Sequence, residues 1–470
     1  MDAVVCADFG STCTKTLLVS LDDGAVVAAA EHRTTVGTDV LDGFAACRDA
    51  LRRTAPAAAA GAPVLACSSA GGGLRIAVVG NEERVTAEAG RGVALSSGGR
   101  VVHVGSGGLD ADRLAALRAA APDVVLLVGG TDGGNADVLL GAAVVLAAAR
   151  WPGPVVVAGN ADAAAEAAAA LAEAGVPRQV AGNVVPRIGV LAPDSARAAI
   201  RTVFLRHVIG GKHLSASPAF VEMVVGATPD VVLGGVEVLA GVAGADVVVV
   251  DVGGATTDVH SVVEIDPEDA VLARQVVAPS RVTRTVEGDL GMRWGAPQTV
   301  EQGVAAGLVD PAEQAGLRRA ARVRGDDPGL VPTGAAGRGA DHRLAEVAVG
   351  VALRRHAGRQ RVRAGPDGRV VERTGRDLRE VGVLVGSGGV LRHAGADAAD
   401  RLLRAATGVD VRGGWLLPRA PRVTVDRTYV LAAVGLLAAE HPDVAAALVR
   451  SHVPWAAGPP TLPRRPRRTA

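Results

Sequence analysis

Large flat side chains and lysine are what this 470-residue sequence has least of. Aromatic residues make up 2% of it, against 49% hydrophobic residues overall. The core must therefore be built from Val, Leu, Ala and Ile. Lysine occurs only at Lys15 and Lys212, and the remaining positive charge is arginine. A GC-rich coding bias toward Ala, Arg, Gly and Val accounts for that pattern and makes a surviving lysine more conspicuous. Net charge is also lacking: Lys+Arg and Asp+Glu stand at 49 each, so no global field recruits nucleic acid or a membrane surface. The four cysteines, Cys6, Cys13, Cys47 and Cys67, form no CxxC pair, and no histidine stands at ligand spacing from them. Thiolate metal sites and a disulfide framework are not expected. The apolar runs VVLLVGG and VVVVDVGG are too short to cross a bilayer. The opening stretch AVVCADFG reads as a strand, not as a basic leader with an apolar h-region, so a cytoplasmic protein is expected.

What is present is a set of three separated stretches of one kind. The first is Asp8-Phe9-Gly10-Ser11-Thr12-Cys13-Thr14-Lys15, the second Asp251-Val252-Gly253-Gly254-Ala255-Thr256-Thr257-Asp258. The third, Gly386-Ser387-Gly388-Gly389, lies in the run VGVLVGSGGVLRH. Each follows or closes an apolar strand-like run. The first two are near-copies in type: strand, Asp, Gly, hydroxyls.

The length calls for two or more domains. The opening reads as a meander of strands at Val4–Asp8, Lys15–Asp22 and Val26–Thr35, with the favoured Asp-Gly turn chemistry at Asp23-Gly24. Helical spacing follows over 39–53, with Val40, Leu41, Phe44 and Leu51 on one side. Strands are expected at Pro63–Ser68 and Leu74–Val79. Residues 100–198 alternate strand and helix, which implies a small inserted parallel sheet covered by helices. Within it Val124–Val128 ends in Gly129-Gly130-Thr131-Asp132-Gly133-Gly134-Asn135, open to reading as a ligand loop, a docking surface or a tight turn. Residues 195–245 read as helical, broken around Gly210–His213. Asp246–Asp251 and Asp258–Ile265 read as strands, 301–360 as mixed helix and polar loop, Val381–Val385 as a strand and Tyr429–Ala439 as a closing helix. The divisions that follow are 1–99 with 199–245 as a first domain, 100–198 as the insert, 246–450 as a second domain and 451–470 as a basic tail.

These turns suit a nucleotide. Small residues offer backbone N–H groups to phosphate oxygens with no Cβ in the way, and Ser and Thr hydroxyls add donors. One aspartate at each strand end, Asp8 and Asp251, suits magnesium held through its water shell, and either could orient an attacking water. Lys15 could place its ammonium on the β- or γ-phosphate. Each stretch alone is weak or moderate as a signal, and all three in this order favour a shared Mg-ATP site. His103, His207 and His213 are too scattered to suggest ligands, and nothing suggests that the chain itself holds cobalamin.

The set resembles the phosphate-1, phosphate-2 and adenosine motifs of the actin, sugar-kinase and Hsp70 ATPase superfamily. The resemblance implies an α/β fold: two RNase H-like domains around a nucleotide cleft, with the small parallel module inserted. More narrowly, DFGSTCTK, LLVGGTDGGN, VEGDLGMRWG and DVGGATTDV resemble the glutamate mutase accessory proteins of the GlmL/MutL type, over most of the chain. By that resemblance Asp8, Gly10, Ser11, Thr12, Thr14 and Lys15 form the first phosphate loop. Asp251, Gly253, Gly254, Thr256, Thr257 and Asp258 form the second, and Gly386, Gly388 and Gly389 lie against the adenosine. Ala255 stands where many relatives carry a third Gly. Glu287 and Asp289 face ribose or magnesium, or are a plain acidic turn. The implied cofactors are ATP and Mg2+, with weak ATPase activity. The implied partners are the subunits of adenosylcobalamin-dependent glutamate (methylaspartate) mutase, and the implied role is its reactivation. The competing readings are a small-molecule kinase or an ATP-dependent hydantoinase or oxoprolinase on the same scaffold, and a filament-forming actin relative.

Overall fold

The computed structural model describes residues 2–70, 73–209, 211, 214–264, 280–365, 368–410 and 413–453. Lys212, His213 and the Pro/Arg-rich end of the chain lie outside the described residues. The chain divides into two compact units. The first comprises Met1–Val238, Ile265–Arg284 and Leu431–Leu448; the second comprises Leu239–Glu264, Thr285–Val430 and Val449–Ala470.

The first unit opens with β1 (Ala3–Phe9), β2 (Cys13–Ser20) and β3 (Val26–Arg33), an antiparallel meander. Gly24, at φ 73°, closes the second turn by donating its N–H to the Ser20 carbonyl. A helix over Val40–Thr54 follows, capped by Asp39, whose side chain accepts from the Leu41 N–H. It buries Val40, Phe44 and Leu51 of the face read from the sequence, and Cys47 with them, while Leu41 is half-buried. β4 (Val64–Ser68) then runs parallel to β1.

An all-parallel sheet comes next: β5 (Leu74–Val79), β6 (Gly99–Gly105), β7 (Val124–Leu127), β8 (Val155–Val157) and β9 (Arg178–Val180), in spatial order β6-β5-β7-β8-β9. It takes β5 from ahead of the residue-100 boundary drawn from the sequence. A parallel strand needs its neighbours, and β5 pairs with both β6 and β7. The chain returns through β10 (Val224–Ala227), completing a first sheet of order β10-β4-β1-β2-β3. β10 lies inside the stretch expected to be helical: four Val, Gly and Ala residues carry too short a period to separate strand from helix.

The strands that follow are β11 (Val247–Val252), β12 (Thr257–Val262), β13 (Val282–Glu287), the hairpin β14 (Arg359–Gly365) and β15 (Gly368–Thr374), then β16 (Val383–Ser387) and β17 (Arg422–Val425), all in the second unit save the first half of β13. The mixed sheet there has order β13-β12-β11-β16-β17. β11 is antiparallel to β12 and parallel to β16. The β14–β15 hairpin is absent from the sequence reading because five arginines and two glycines hide its alternation. Numbered from each sheet's first strand, both mixed sheets have order 3-2-1-4-5, with strand 1 antiparallel to strand 2 and parallel to strand 4, and strand 4 parallel to strand 5, the RNase H-like arrangement. The fold is α/β, two such sheets with a parallel module inserted in the first.

The scarce aromatics are concentrated. All four phenylalanines, Phe9, Phe44, Phe204 and Phe220, lie in the main apolar cluster of the first unit. Phe9, at the end of β1, packs on Phe44 and Phe220 with ring centroids 5.4 and 5.1 Å away. The second unit is packed by Val, Leu and Ala from β11, β16 and the long helix Ala335–His356. Among the described residues, no helix is long and apolar enough to cross a membrane.

Within the first unit, helix Leu431–Leu437 meets the helix beginning at Thr228 through a pair of glycines. A Cβ on Gly435 would stand 1.9 Å from the Val231 carbonyl oxygen, and one on Gly235 2.1 Å from that of Leu431. Gly435→Ala must force the helices apart, at about 1–3 kcal/mol for overpacking. Thermal unfolding should show a lowered midpoint. An unchanged midpoint would contradict this crossing.

Candidate functional site

The two central strands, β1 and β11, end in the same way. β1 runs to Asp8-Phe9 and turns through Gly10-Ser11-Thr12 into β2; Asp8 is paired in register with Lys15, and Phe9 with Thr14. β11 runs to Asp251-Val252 and turns through Gly253-Gly254-Ala255-Thr256 into β12; Asp251 is paired with Asp258, and Val252 with Thr257. The hairpins therefore superpose residue for residue in register, with Lys15 of one at the position of Asp258 in the other.

Neither turn has room for a first side chain. A Cβ on Gly10 would lie 2.7 Å from the Cys13 carbonyl oxygen, and one on Gly253 2.9 Å from that of Thr256. The Gly253 N–H closes the second turn on the Thr256 carbonyl at 2.9 Å. A third segment holds each turn from outside. In the first unit, the Thr34 hydroxyl donates to the Gly10 carbonyl (2.8 Å) and the Thr34 N–H to that of Thr12 (2.9 Å). In the second, the N–H groups of Met292 and Arg293 donate to the carbonyls of Gly253 and Gly254 at 3.0 and 2.7 Å.

Asp8 is 4% exposed. Its Oδ1 accepts from the Thr228 hydroxyl at 2.6 Å, and the Cys67 thiol lies 3.6 Å away. Burial, and then the nearby Asp8 charge, push the Cys67 thiol far above its ordinary range. Ser11 and Thr12 are exposed and Lys15 is half-buried. Thr14 is fully buried, its hydroxyl 3.2 Å from that of Thr34. Thr257 is likewise buried and donates to the Leu290 carbonyl. The hydroxyls of Thr14 and Thr257 are thus turned into the protein, while Thr256 donates to Asp258 at 3.2 Å.

The structure brings the second and third stretches together. β16 lies beside β11, with Ser387 opposite Asp251. Gly388, at φ 91°, leaves no space for a Cβ: it would stand 2.2 Å from the Val252 carbonyl oxygen and 2.8 Å from Asp251 Oδ1. Gly389 has open space around it. Gly386 is different, for its missing side chain faces Leu391 and Leu403 inside the core. The candidates thus form two sets: Asp8, Gly10, Ser11, Thr12, Thr14 and Lys15 in the first unit, and Asp251 to Asp258 with Gly386 to Gly389 in the second.

Glu287 and Asp289 are gripped by Arg355, at 2.7 Å to Glu287 Oε2 and at 2.6 and 3.0 Å to Asp289. Burial pushes the Glu287 carboxyl up against the pull of that guanidinium, and the same guanidinium holds Asp289 down. This is an ion-paired acidic turn. In the inserted module the run Gly129–Asn135 is held by its own network. Asn160 Nδ2 donates to the Gly134 carbonyl, and Asn183 Nδ2 to the Gly130 carbonyl and to Asp132. The Ala161 N–H also donates to Asp132. These bonds favour the tight-turn reading.

Four residues shape the site in ways the sequence does not show: Thr34 and Thr228, which carry no signal there, and Met292 and Arg293, which lie in the VEGDLGMRWG run. Their partners are distant in sequence, as for Thr34 with Gly10 and Thr228 with Asp8, and Met292 and Arg293 act through their backbone N–H groups.

Among the described residues no group of three or more His, Cys, Asp or Glu side chains is placed to hold a metal. One aspartate per hairpin suits magnesium, which keeps much of its water and is bound by one or two carboxylates plus phosphate oxygens. The oxygen donors and the side-chain-free turns therefore fit Mg-ATP.

A family model described as MutL protein matches residues 4–453. A curated relative from Clostridium tetanomorphum, "Protein MutL", is 33% identical over 469 residues, spanning 96% of this chain and 99% of the relative. Among solved structures, the ATP-dependent caprolactamase of Pseudomonas jessenii is 13% identical, covers 92% of this chain and 70% of its own, and gives a TM-score of 0.38. A nucleotide-free acetone carboxylase is also 13% identical, covers 93% and 70%, and gives 0.37. Likeness at that level carries no argument about this chain.

Cysteine chemistry tests the geometry of the first hairpin. Cys13 is half-buried beside the turn, whereas Cys6, Cys47 and Cys67 are buried. Burial raises the Cys6 thiol to about 12, and alkylation needs the thiolate. Iodoacetamide at pH 8 should label Cys13 in the folded protein and reach Cys6 and Cys67 only after unfolding. Peptide mapping that finds Cys67 labelled first would contradict the packing around Asp8.

Proposed function

The chain belongs to the MutL protein family, and on that premise we propose that it is an ATP-binding accessory protein of adenosylcobalamin-dependent glutamate (methylaspartate) mutase. In this reading it uses Mg-ATP to open the mutase so that damaged cobalamin leaves. The observation that carries the nucleotide part is the duplicated hairpin: in each unit the central strand ends in an aspartate followed by a glycine that admits no side chain. The mutase part rests on family membership.

In the proposal, magnesium would screen the triphosphate charge when bound. Asp8 and Asp251 would each be suited to hold such an ion through its water shell. Lys15 sits opposite Asp8 across the hairpin and binds a phosphate oxygen as a point charge. The exposed hydroxyls of Ser11 and Thr12 would donate to phosphate oxygens. Thr228 fixes the Asp8 rotamer through its 2.6 Å bond, so the carboxylate is oriented before ligand arrives. Gly388 and Gly389 leave the surface beside Asp251 free of side chains, which suits close approach of the nucleoside. With Asp8 and Asp251 committed to the ion, this reading favours slow hydrolysis, and no substrate hydroxyl is needed.

Two measurements test this. Cobalamin-inactivated mutase incubated with the protein and Mg-ATP should recover activity, and Asp8→Ala or Asp251→Ala should abolish the recovery. ATP-dependent phosphorylation of a metabolite with no recovery of mutase would sink the accessory reading and favour a kinase. Lys15→Ala removes a charge-assisted hydrogen bond, so Mg-ATP affinity by calorimetry should fall about tenfold to a hundredfold with the thermal midpoint unchanged. Unaltered affinity would remove Lys15 from the site.

A further inference from the structure

The end of the run VEGDLGMRWG is left without a role by the nucleotide reading, and the structure supplies one. In the segment Gly291–Gly295 the N–H groups of Met292 and Arg293 take the carbonyls of Gly253 and Gly254. A trans peptide plane points its C=O and its N–H in opposite directions, and no cis peptide bond occurs among the described residues. With both carbonyls drawn to one side, the N–H groups of Gly254 and Ala255 must face the other. Among the described residues neither of those two N–H groups has a hydrogen-bond partner in the protein. Two adjacent donors facing the same way form a small concavity for an anion.

The segment fits against the turn only because it lacks side chains where they touch. A Cβ on Gly291 would lie 2.5 Å from the Ala255 carbonyl oxygen, and one on Gly295 2.9 Å from it. One buried hydroxyl keeps the segment in shape. Thr299 Oγ1 accepts from the Gly291 N–H at 2.9 Å and lies 3.0 Å from the carbonyl oxygens of both Gly291 and Gly295. Thr299 is 0% exposed, so no water replaces its hydroxyl. Trp294, in the middle of the segment, is 53% exposed and stands over Gly254, whose Cβ would lie 3.0 Å from the ring.

We propose that Gly291–Gly295 is a positioning clamp that presets the second turn as a two-donor cradle for a phosphate oxygen, and that Thr299 holds the clamp in place. The proposal rests on reading this hairpin as a phosphate turn. Donors fixed in advance bind an anion without the cost of ordering the loop. Thr299 touches no ligand and acts through Gly291 and Gly295. Ala255 is compatible with the cradle, because it contributes its N–H and its carbonyl faces the clamp.

The test is titration of the full-length protein with inorganic pyrophosphate and, separately, with Mg-ATP, by calorimetry and tryptophan fluorescence. Both ligands should bind the parent protein and change its fluorescence, and Trp294→Phe should remove the change. Thr299→Val should weaken both ligands about tenfold or more, and Thr299→Ser should restore affinity. Should Thr299→Val fail to fold, Gly295→Ala, which displaces the clamp, gives the same readout. A variant with a lowered thermal midpoint and unaltered affinity shows Thr299 to be structural only and overturns the proposal, as does pyrophosphate binding with no response at Trp294. Pyrophosphate binding that depends on Thr299 without any binding of ATP leaves the clamp standing and sinks the nucleotide reading. Failure of the parent protein to bind either ligand sinks both.

Discussion

A peptide plane cannot offer both of its polar groups to the same side, and both candidate turns are built on that constraint. In each hairpin the carbonyls are occupied from outside the turn, by Thr34 in one and by Met292 and Arg293 in the other. What remains for a ligand is the opposite face, with N–H groups, small residues and an aspartate at the end of a central strand. The first glycine of each turn, Gly10 or Gly253, is required because the strand-to-strand reversal leaves its Cβ position under 3 Å from a carbonyl oxygen. The sheets exist to aim these ends. β1 and β11 are flanked on both sides by strands of the same sheet, so the position of Asp8 or Asp251 is set by two ladders of hydrogen bonds.

The hairpins differ at one position that changes their electrostatics. Lys15 faces Asp8, and Asp258 faces Asp251. In the proposed site the first turn would therefore present one charge of each sign, and the second two carboxylates beside the two proposed backbone donors. Nearby, Arg355 pairs with both Glu287 and Asp289, and its single charge offsets part of their negative field. An anion reaching that turn thus needs its own cation, consistent with a metal-bound phosphate.

The sequence made the hairpins legible because their chemistry is local. Asp, Gly and hydroxyls within eight residues, after a Val-rich run, report a strand, a turn and its donors at once. The helix at Val40–Thr54 and the alternating strands of the insert were legible for the same reason, their periods being carried by neighbouring residues. What tertiary pairing decides was hidden. β10 is four residues long and exists because β4 offers it an edge. β5 belongs to the parallel sheet through β6 and β7, which are distant in sequence. Gly386 looked like its neighbours Gly388 and Gly389 in the sequence, but strand alternation turns its missing side chain toward Leu403. Thr14 and Thr257 looked like ligand donors, yet period two sends both inward. The supporting residues Thr34, Thr228 and Thr299 were invisible, because a threonine says nothing of a partner brought to it by the fold.

The central proposal is that both acidic hairpins are needed for nucleotide binding. Calorimetric stoichiometry tests it most directly, using Mg-ATP with the parent protein, with Asp8→Ala and with Asp251→Ala. The account predicts one nucleotide per chain, with binding lost in either variant. Two nucleotides per chain, or one aspartate variant that binds with full affinity, would contradict it.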